Sequence, residues 1–345
     1  MSNITTKNGR ITVENRKCII DNAICKNPES VIAAIREMGI TNPIETENAW
    51  KMFCDESGTF HTQLLKDFLF KKGFMTVDQL NNEKCTVKEI AISVFNCMKS
   101  GVFPIKATKQ TGIIGYTPIR LSRDFSGKMR GKWAFSTLSL INPFCIARMK
   151  NPELVCFYCY VEKALKQNMI GMLNYIQNYF FMTQKNLPDI LIPVLNPICL
   201  KMRDGIRIES FGDIGNYDQQ RFYTRLAYKN PLYHFTQWSK NPAIVCRIFV
   251  EMGKPENLKF GLSMSRINKL DSNMAKWILT GYIDFLFVVT DSDEIRDELL
   301  DQPFSRPCMC EEYSCFSLCK GCYMPEMDIV KNAGIPVMTV ERLRK

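Results

Sequence analysis

Histidine is almost missing from this chain, with His61 and His234 the only two among 345 residues. That scarcity argues against mixed cysteine–histidine zinc sites and leaves all-sulfur ligation for any bound metal. No Gly-x-Ser-x-Gly elbow and no phosphate loop occurs, which weakens a metal-free hydrolase or transferase, although Asp213 and Asp291 would suit magnesium in such an enzyme. Long apolar runs are absent too, none approaching the roughly 18 residues of a membrane span, so no membrane association is expected. The N-terminus has neither the basic stretch nor the apolar core of a secretory signal. Internal repeats and low-complexity segments are lacking. Fifteen cysteines without an export signal predict thiols in a reducing cytoplasm rather than disulfides.

The chain does have apolar mass, 46 % of its residues, enough for a substantial core. It also has a formal charge of +10, and much of the excess is local. Lys99, Lys106, Lys109, Arg120, Arg123, Lys128, Arg130 and Lys132 face only one acid, Asp124, between positions 99 and 132. This segment reads either as a solvated connector or as a contact surface for nucleic acid or nucleotide.

Hydrophobic periodicity divides the chain. Residues 1–16 are polar and expected to be flexible. Residues 17–100 carry helical spacing, as at Ile32, Ile35 and Met38, and predict a small helical domain. A basic connector follows over 101–132. From 133 to 345 strand-like runs at 133–140, 206–210, 232–238, 258–265, 282–290 and 335–340 alternate with helical segments at about 160–184, 217–229, 242–252, 272–279, 291–300 and 326–332. Six strand–helix units predict an α/β fold with a parallel sheet wound right-handedly, either an open doubly wound sheet or a barrel-like arc. The proline-interrupted run 186–201 reads as a buried connection.

In such folds the loops leaving the C-terminal ends of strands converge on one rim. The unusual residues fall in those loops: Cys145, Cys156 and Cys159, the Phe211 to Asn216 turn containing Gly212, Asp213 and Gly215, then Ser239 and Lys240, then Ser265 and Arg266. Cys156 and Cys159, two residues apart at a helix start, would both face one ion or cluster, with Cys145 reaching it through a ten-residue loop. Three thiolates leave one coordination position open. Lys240, Ser265 and Arg266 would line a substrate pocket, with Lys240 and Arg266 the catalytic candidates. Gly212 and Gly215 either contact a cofactor or simply permit a tight turn, with Asn216 capping the next helix. A second set, Cys310, Cys315, Cys319 and Cys322 within the knuckle 308–322, suits structural zinc or a fully ligated iron–sulfur cluster.

The run Cys156-Phe157-Tyr158-Cys159-Tyr160 resembles the cysteine motif of radical S-adenosylmethionine enzymes. That resemblance implies that the six strand–helix units form a partial, TIM-like parallel barrel, with a [4Fe-4S] cluster on Cys145, Cys156 and Cys159, S-adenosylmethionine at the open iron, and cofactor contacts from Tyr158, Gly212, Asp213 and Ser265. Here ten residues separate the first two cysteines where that family usually has three. Over roughly residues 125 to 330 the chain is also similar to the bacteriophage gene product 88 family. The likeness lies in Ser126-Gly127-Lys128 leading into Phe135-Ser136, the Cys-x-x-Cys-Tyr closure, the Gly212-Asp213 turn, the Thr236 to Lys240 stretch and the Cys319-x-x-Cys322 pair. It implies architecture, metal binding and the cytoplasm of a host cell, without a reaction. The alternative expectation is a non-catalytic, zinc-stapled module that binds nucleic acid or a host protein.

Overall fold

The computed structural model describes residues 5–6, 9–10, 24–47, 50–82, 85–123, 131–197, 200, 205–264, 266–269, 274–302, 304–307 and 336–343. Its centre is an eight-stranded sheet. The strands are β1 (Ser122–Arg123), β2 (Trp133–Phe135), β3 (Ile206–Ile208), β4 (Phe235–Ser239), β5 (Leu258–Ser263), β6 (Phe285–Thr290), β7 (Ser305–Pro307) and β8 (Val337–Arg342). Their spatial order is β7-β8-β6-β5-β4-β3-β2-β1, all parallel except the β1–β2 pair.

The α/β class stands, but the six-unit partial barrel does not: the sheet is open. To close, β2 and the last parallel strand would have to meet. Instead the outer edge of β2 is taken by antiparallel β1, and β8 lies inside the sheet between β6 and β7. All six expected strands occur near their expected places, while the two short edge strands had no apolar pattern to announce them.

Local chemistry explains the helices that flank the sheet. Helix α8 (Tyr217–Lys229) starts where the Asn216 side chain accepts from the Gln219 amide, and it buries Phe222, Tyr223, Leu226 and Ala227. Helix α9 (Pro242–Met252) has proline in its first turn and stops at Gly253, whose φ of 78° suits a residue without a side chain. Parallel strands covered on both faces should be apolar nearly throughout. In β5 every residue but Lys259 is buried.

Gly261 on β5 is fixed by its neighbours across the sheet. Trp238, Gly261 and Phe285 share one register row, and the two rings meet edge to face at 5.5 Å over the glycine. A Cβ there would lie 2.0 Å from the Phe285 ring. Gly261→Ala is therefore expected to destabilise the protein by about 1–3 kcal/mol through overpacking, seen as a lower urea midpoint at unchanged slope.

The N-terminal part contains α1 (Pro28–Glu37), α2 (Thr62–Lys71), α3 (Val77–Asn81) and α4 (Val87–Lys99). It shares one continuous apolar core with the sheet, running from Cys25 to Val340. Helices α5 (Pro143–Arg148), α6 (Val161–Leu165) and α7 (Met169–Met182) follow β2, with Phe95 of α4 against Tyr179 of α7 at 5.5 Å. Residues 186–197 form no central strand: Val194–Leu195 pairs only with Ile113–Ile114. Among the described residues no helix is long and apolar enough to cross a membrane.

The basic connector is built into this structure rather than laid over it. Asn178 of α7 holds the Arg120 backbone at both N–H and C=O, and Gln177 does the same for Lys106. Lys99, Lys106, Lys109 and Arg123 lie over the rings of Phe95, Trp50, Tyr116 and Trp133. The Arg120 guanidinium donates to Thr108 Oγ1 at 2.8 Å, burial lowering its pKa to about 10, and Lys132 is buried. Lys128 and Arg130 lie outside the described residues.

Candidate functional site

The C-terminal ends of β2, β3 and β4 meet in a buried polar cluster. After β2, Asn142 caps α5 by accepting from the Phe144 amide, which turns Cys145 inward to 7 % exposure. The chain then makes a tight turn at Val155–Tyr158 carrying Cys156, and the Cys159 amide donates to the Cys156 carbonyl at 3.2 Å. The Cys159 Sγ lies 3.8 Å from Ser139 Oγ. This loop is pinned on three sides. Asn142 Nδ2 donates to the Asp213 carbonyl at 2.7 Å, Tyr160 Oη donates to the Ser210 carbonyl at 2.6 Å, and Leu154 pairs with Arg266 through an isolated bridge. A tilted contact of Tyr160 on Phe211, and stacking of Phe211 on Tyr175, reinforce the second contact.

Asp213 connects the loops after β3 and β4. Its Oδ1 accepts from the Ile214 amide at 2.7 Å and from Ser239 Oγ at 2.5 Å, and its Oδ2 accepts from the Lys240 amide at 3.1 Å. The Lys240 ammonium lies within electrostatic reach of all three thiols. Burial pushes its pKa down, but negative charge on Cys156, Asp213, Cys145 and Cys159 outweighs that and holds the pKa above its usual value. Burial conversely pushes the Cys145 and Cys156 thiols up, with Asp213 adding to the effect and Lys240 opposing it.

Beneath Asp213 lies a hub absent from the sequence reading. Glu209 follows β3 in a left-handed backbone conformation, φ 61°, uncommon for a residue with a side chain. Its carboxyl is 2 % exposed and receives the Thr137 amide at 3.0 Å, Thr137 Oγ1 at 2.9 Å, Gln219 Nε2 at 2.7 Å and Tyr223 Oη at 2.5 Å. Burial raises its pKa to about 7 against those donors. The only sequence signal was an acid closing the alternating run Ile206-Arg207-Ile208 just before the Gly212 turn.

The glycines of that turn serve close approach. A Cβ on Gly212 would sit 2.5 Å from Glu209 Oε2, and one on Gly215 would sit 2.5 Å from Asn142 Oδ1. Asn216 caps α8 as anticipated. Of the candidate residues, the fold therefore brings together Cys145, Cys156, Cys159, Gly212, Asp213 and Lys240. Arg266 is exposed and joins the cluster through its backbone only, and Tyr158, 37 % exposed, packs edge-on against Phe157. Ser265, Cys310, Cys315, Cys319 and Cys322 lie outside the described residues. Of the histidines, His61 pairs with Asp55 at 2.7 Å on the surface, far in sequence from the rim.

All eight described cysteines are free thiols. Among the described residues no three His, Cys, Asp or Glu side chains stand in a metal-holding arrangement, so Cys145, Cys156 and Cys159 are neighbours around Lys240, short of a formed cage. As a donor set they fit a thiolate-bound metal group, being all sulfur with a cation beside them. No protein-family model, curated protein or solved structure matches the chain.

Proposed function

We propose that the protein is an iron–sulfur protein in which Cys145, Cys156 and Cys159 hold a [4Fe-4S] cluster, placed to act on a substrate at the rim of the sheet. The observation that supports this reading is that three thiols, one on α5 and two at the turn after it, lie within electrostatic reach of Lys240 beside Asp213. When bound, such a cluster supplies electrons to a molecule at its open iron.

The chain's own residues have separate parts. Lys240 offsets thiolate charge, Asp213 fixes the Lys240 backbone, and Asn142 ties the cysteine loop to the Asp213 turn. Tyr160, Phe211 and Tyr175 pack ring against ring beside the cysteine loop and hold it to the turn after β3. S-adenosylmethionine as the molecule at the open iron is the finer reading, supported by the resemblance of the cysteine motif alone. Nucleic-acid binding through 99–132 draws less support, because Lys99, Lys106, Lys109 and Arg123 cover rings of the same chain and Arg120 and Lys132 are largely buried. A reducing cytoplasm suits the free thiols.

Anaerobic purification with iron, sulfide and zinc analysis tests the proposal, the visible spectrum being taken before and after adding S-adenosylmethionine. A brown protein with about four irons, or about eight if the C-terminal cysteines hold a second cluster, is the expected result. A spectral change on adding S-adenosylmethionine supports the finer reading. A colourless protein with zinc alone after attempted cluster reconstitution would overturn the iron–sulfur reading.

A further inference from the structure

We infer that a cavity on the far side of the cysteine loop binds a compact oxyanion, a carboxylate or a phosphate, anchored on the ammonium of Lys66. The cavity, about 380 Å³, lies between α2 and α4 of the N-terminal part and α6 and α7 behind the cysteines. That volume falls in the range of small-molecule sites. Lys66, Lys166 and Glu162 supply its charge, Thr62 and Cys85 further polar atoms, and Ile90 part of its apolar wall.

Lys66 makes the argument. It is 8 % exposed, and among the described residues its one polar contact is a long hydrogen bond, 3.4 Å, to the Asn82 carbonyl. An ammonium carries three donors, and one long hydrogen bond leaves the others to a ligand or to water in the cavity. Among the described residues the nearby acids do not pair with it. Glu89 closes the capping box of α4, accepting from the Thr86 amide at 2.7 Å and from Thr86 Oγ1 at 2.9 Å. Glu162 lines the same cavity without an ion pair to Lys66. Among the described residues two ammonium groups stand against one carboxylate in the cavity lining, with Lys66 buried and Lys166 at the exposed mouth. An oxyanion fits that charge and room. A large or wholly apolar ligand does not.

This site is independent of the cysteine cluster, although α6 begins two residues after Cys159 and joins the two. The test uses the full chain, with the thermal midpoint followed as inorganic phosphate or acetate is titrated at constant ionic strength with chloride. Alkylation of Cys85 by iodoacetamide, read by peptide mass mapping, reports occupancy locally. A saturable rise in midpoint with several-fold slower Cys85 alkylation is expected for one of the anions, and which one distinguishes phosphate from carboxylate ligands. Lys66→Met should lose both responses while matching or exceeding the wild-type midpoint in chloride, since an under-paired ammonium gives way to an apolar chain. Lys166→Met, an exposed change that leaves folding intact, should weaken the response several-fold and decides the matter if Lys66→Met does not fold. Absence of any effect from either anion, or an unchanged response in Lys66→Met, would overturn the proposal.

Discussion

Cys156→Ala should strip one metal group from the protein and leave the fold standing. Cys156 sits in a short turn, half-buried, and its thiol packs no part of the continuous apolar core. Truncating it removes one ligand and little packing, so stability should change by less than about 1 kcal/mol. Metal content responds differently, because a cluster held by three thiolates does not survive on two. The expected result is a loss of about four irons per chain, with the visible absorption of that cluster gone. Cys246→Ala provides the control. That thiol lies on α9 against Thr280 and should leave metal content unchanged. Full iron retention in Cys156→Ala would remove the first triplet from consideration as a site.

The second large effect is a pH dependence of stability centred on Glu209. Burial raises its carboxyl pKa from 4.5 to about 7, so the folded protein keeps a proton that the unfolded chain releases near its ordinary value. The folded state binds more protons in between, and stability falls as pH rises. The contribution is fully present below about pH 4.5 and is lost through about pH 7, a difference of about 3 kcal/mol. Tyr223, Cys145 and Tyr179 are the titratable groups that feel its charge, and all three stay neutral throughout this range because burial raises the pKa of each.

Glu209→Gln should remove that slope. Its amide mimics the neutral acid, with the carbonyl free to accept the Thr137 amide. Its NH₂ then faces Gln219 Nε2, another donor, so one poor contact appears at every pH. Urea midpoints of wild type and variant compared from pH 4.5 to 8 give the answer. Parallel pH profiles for the two proteins would show that Glu209 does not titrate in this window.

Much of the molecule was legible because local chemistry specifies it. The Asn216 cap, the proline at the start of α9 and the Gly253 stop bound their helices wherever those helices lie in space. Sheet closure was not legible in the same way. It depends on which strand pairs at each edge, and Ser122–Arg123 and Ser305–Pro307 are too short and polar to show a period of two. The site divides along the same line. Cysteines are conspicuous in any sequence, and loops after parallel strands converge, so the triplet, Asp213 and Lys240 were findable. Glu209 looked like one polar residue in an alternating strand until its left-handed backbone turned it inward onto four donors. Arg120 and Lys106 looked like surface charge because a sequence does not show that Asn178 and Gln177 hold their backbones.

The gap at Gly261 acts as a proofreading device during assembly. Sliding β5 by one residue along its neighbours would bring Phe260 or Leu262 under the crossed rings of Trp238 and Phe285, where no side chain fits. Misaligned sheets are rejected sterically rather than by a small difference in hydrogen bonding. Because β4 and β5 run straight into the loops that bear Lys240 and Arg266, a single glycine two residues before the end of β5 sets where both of them emerge.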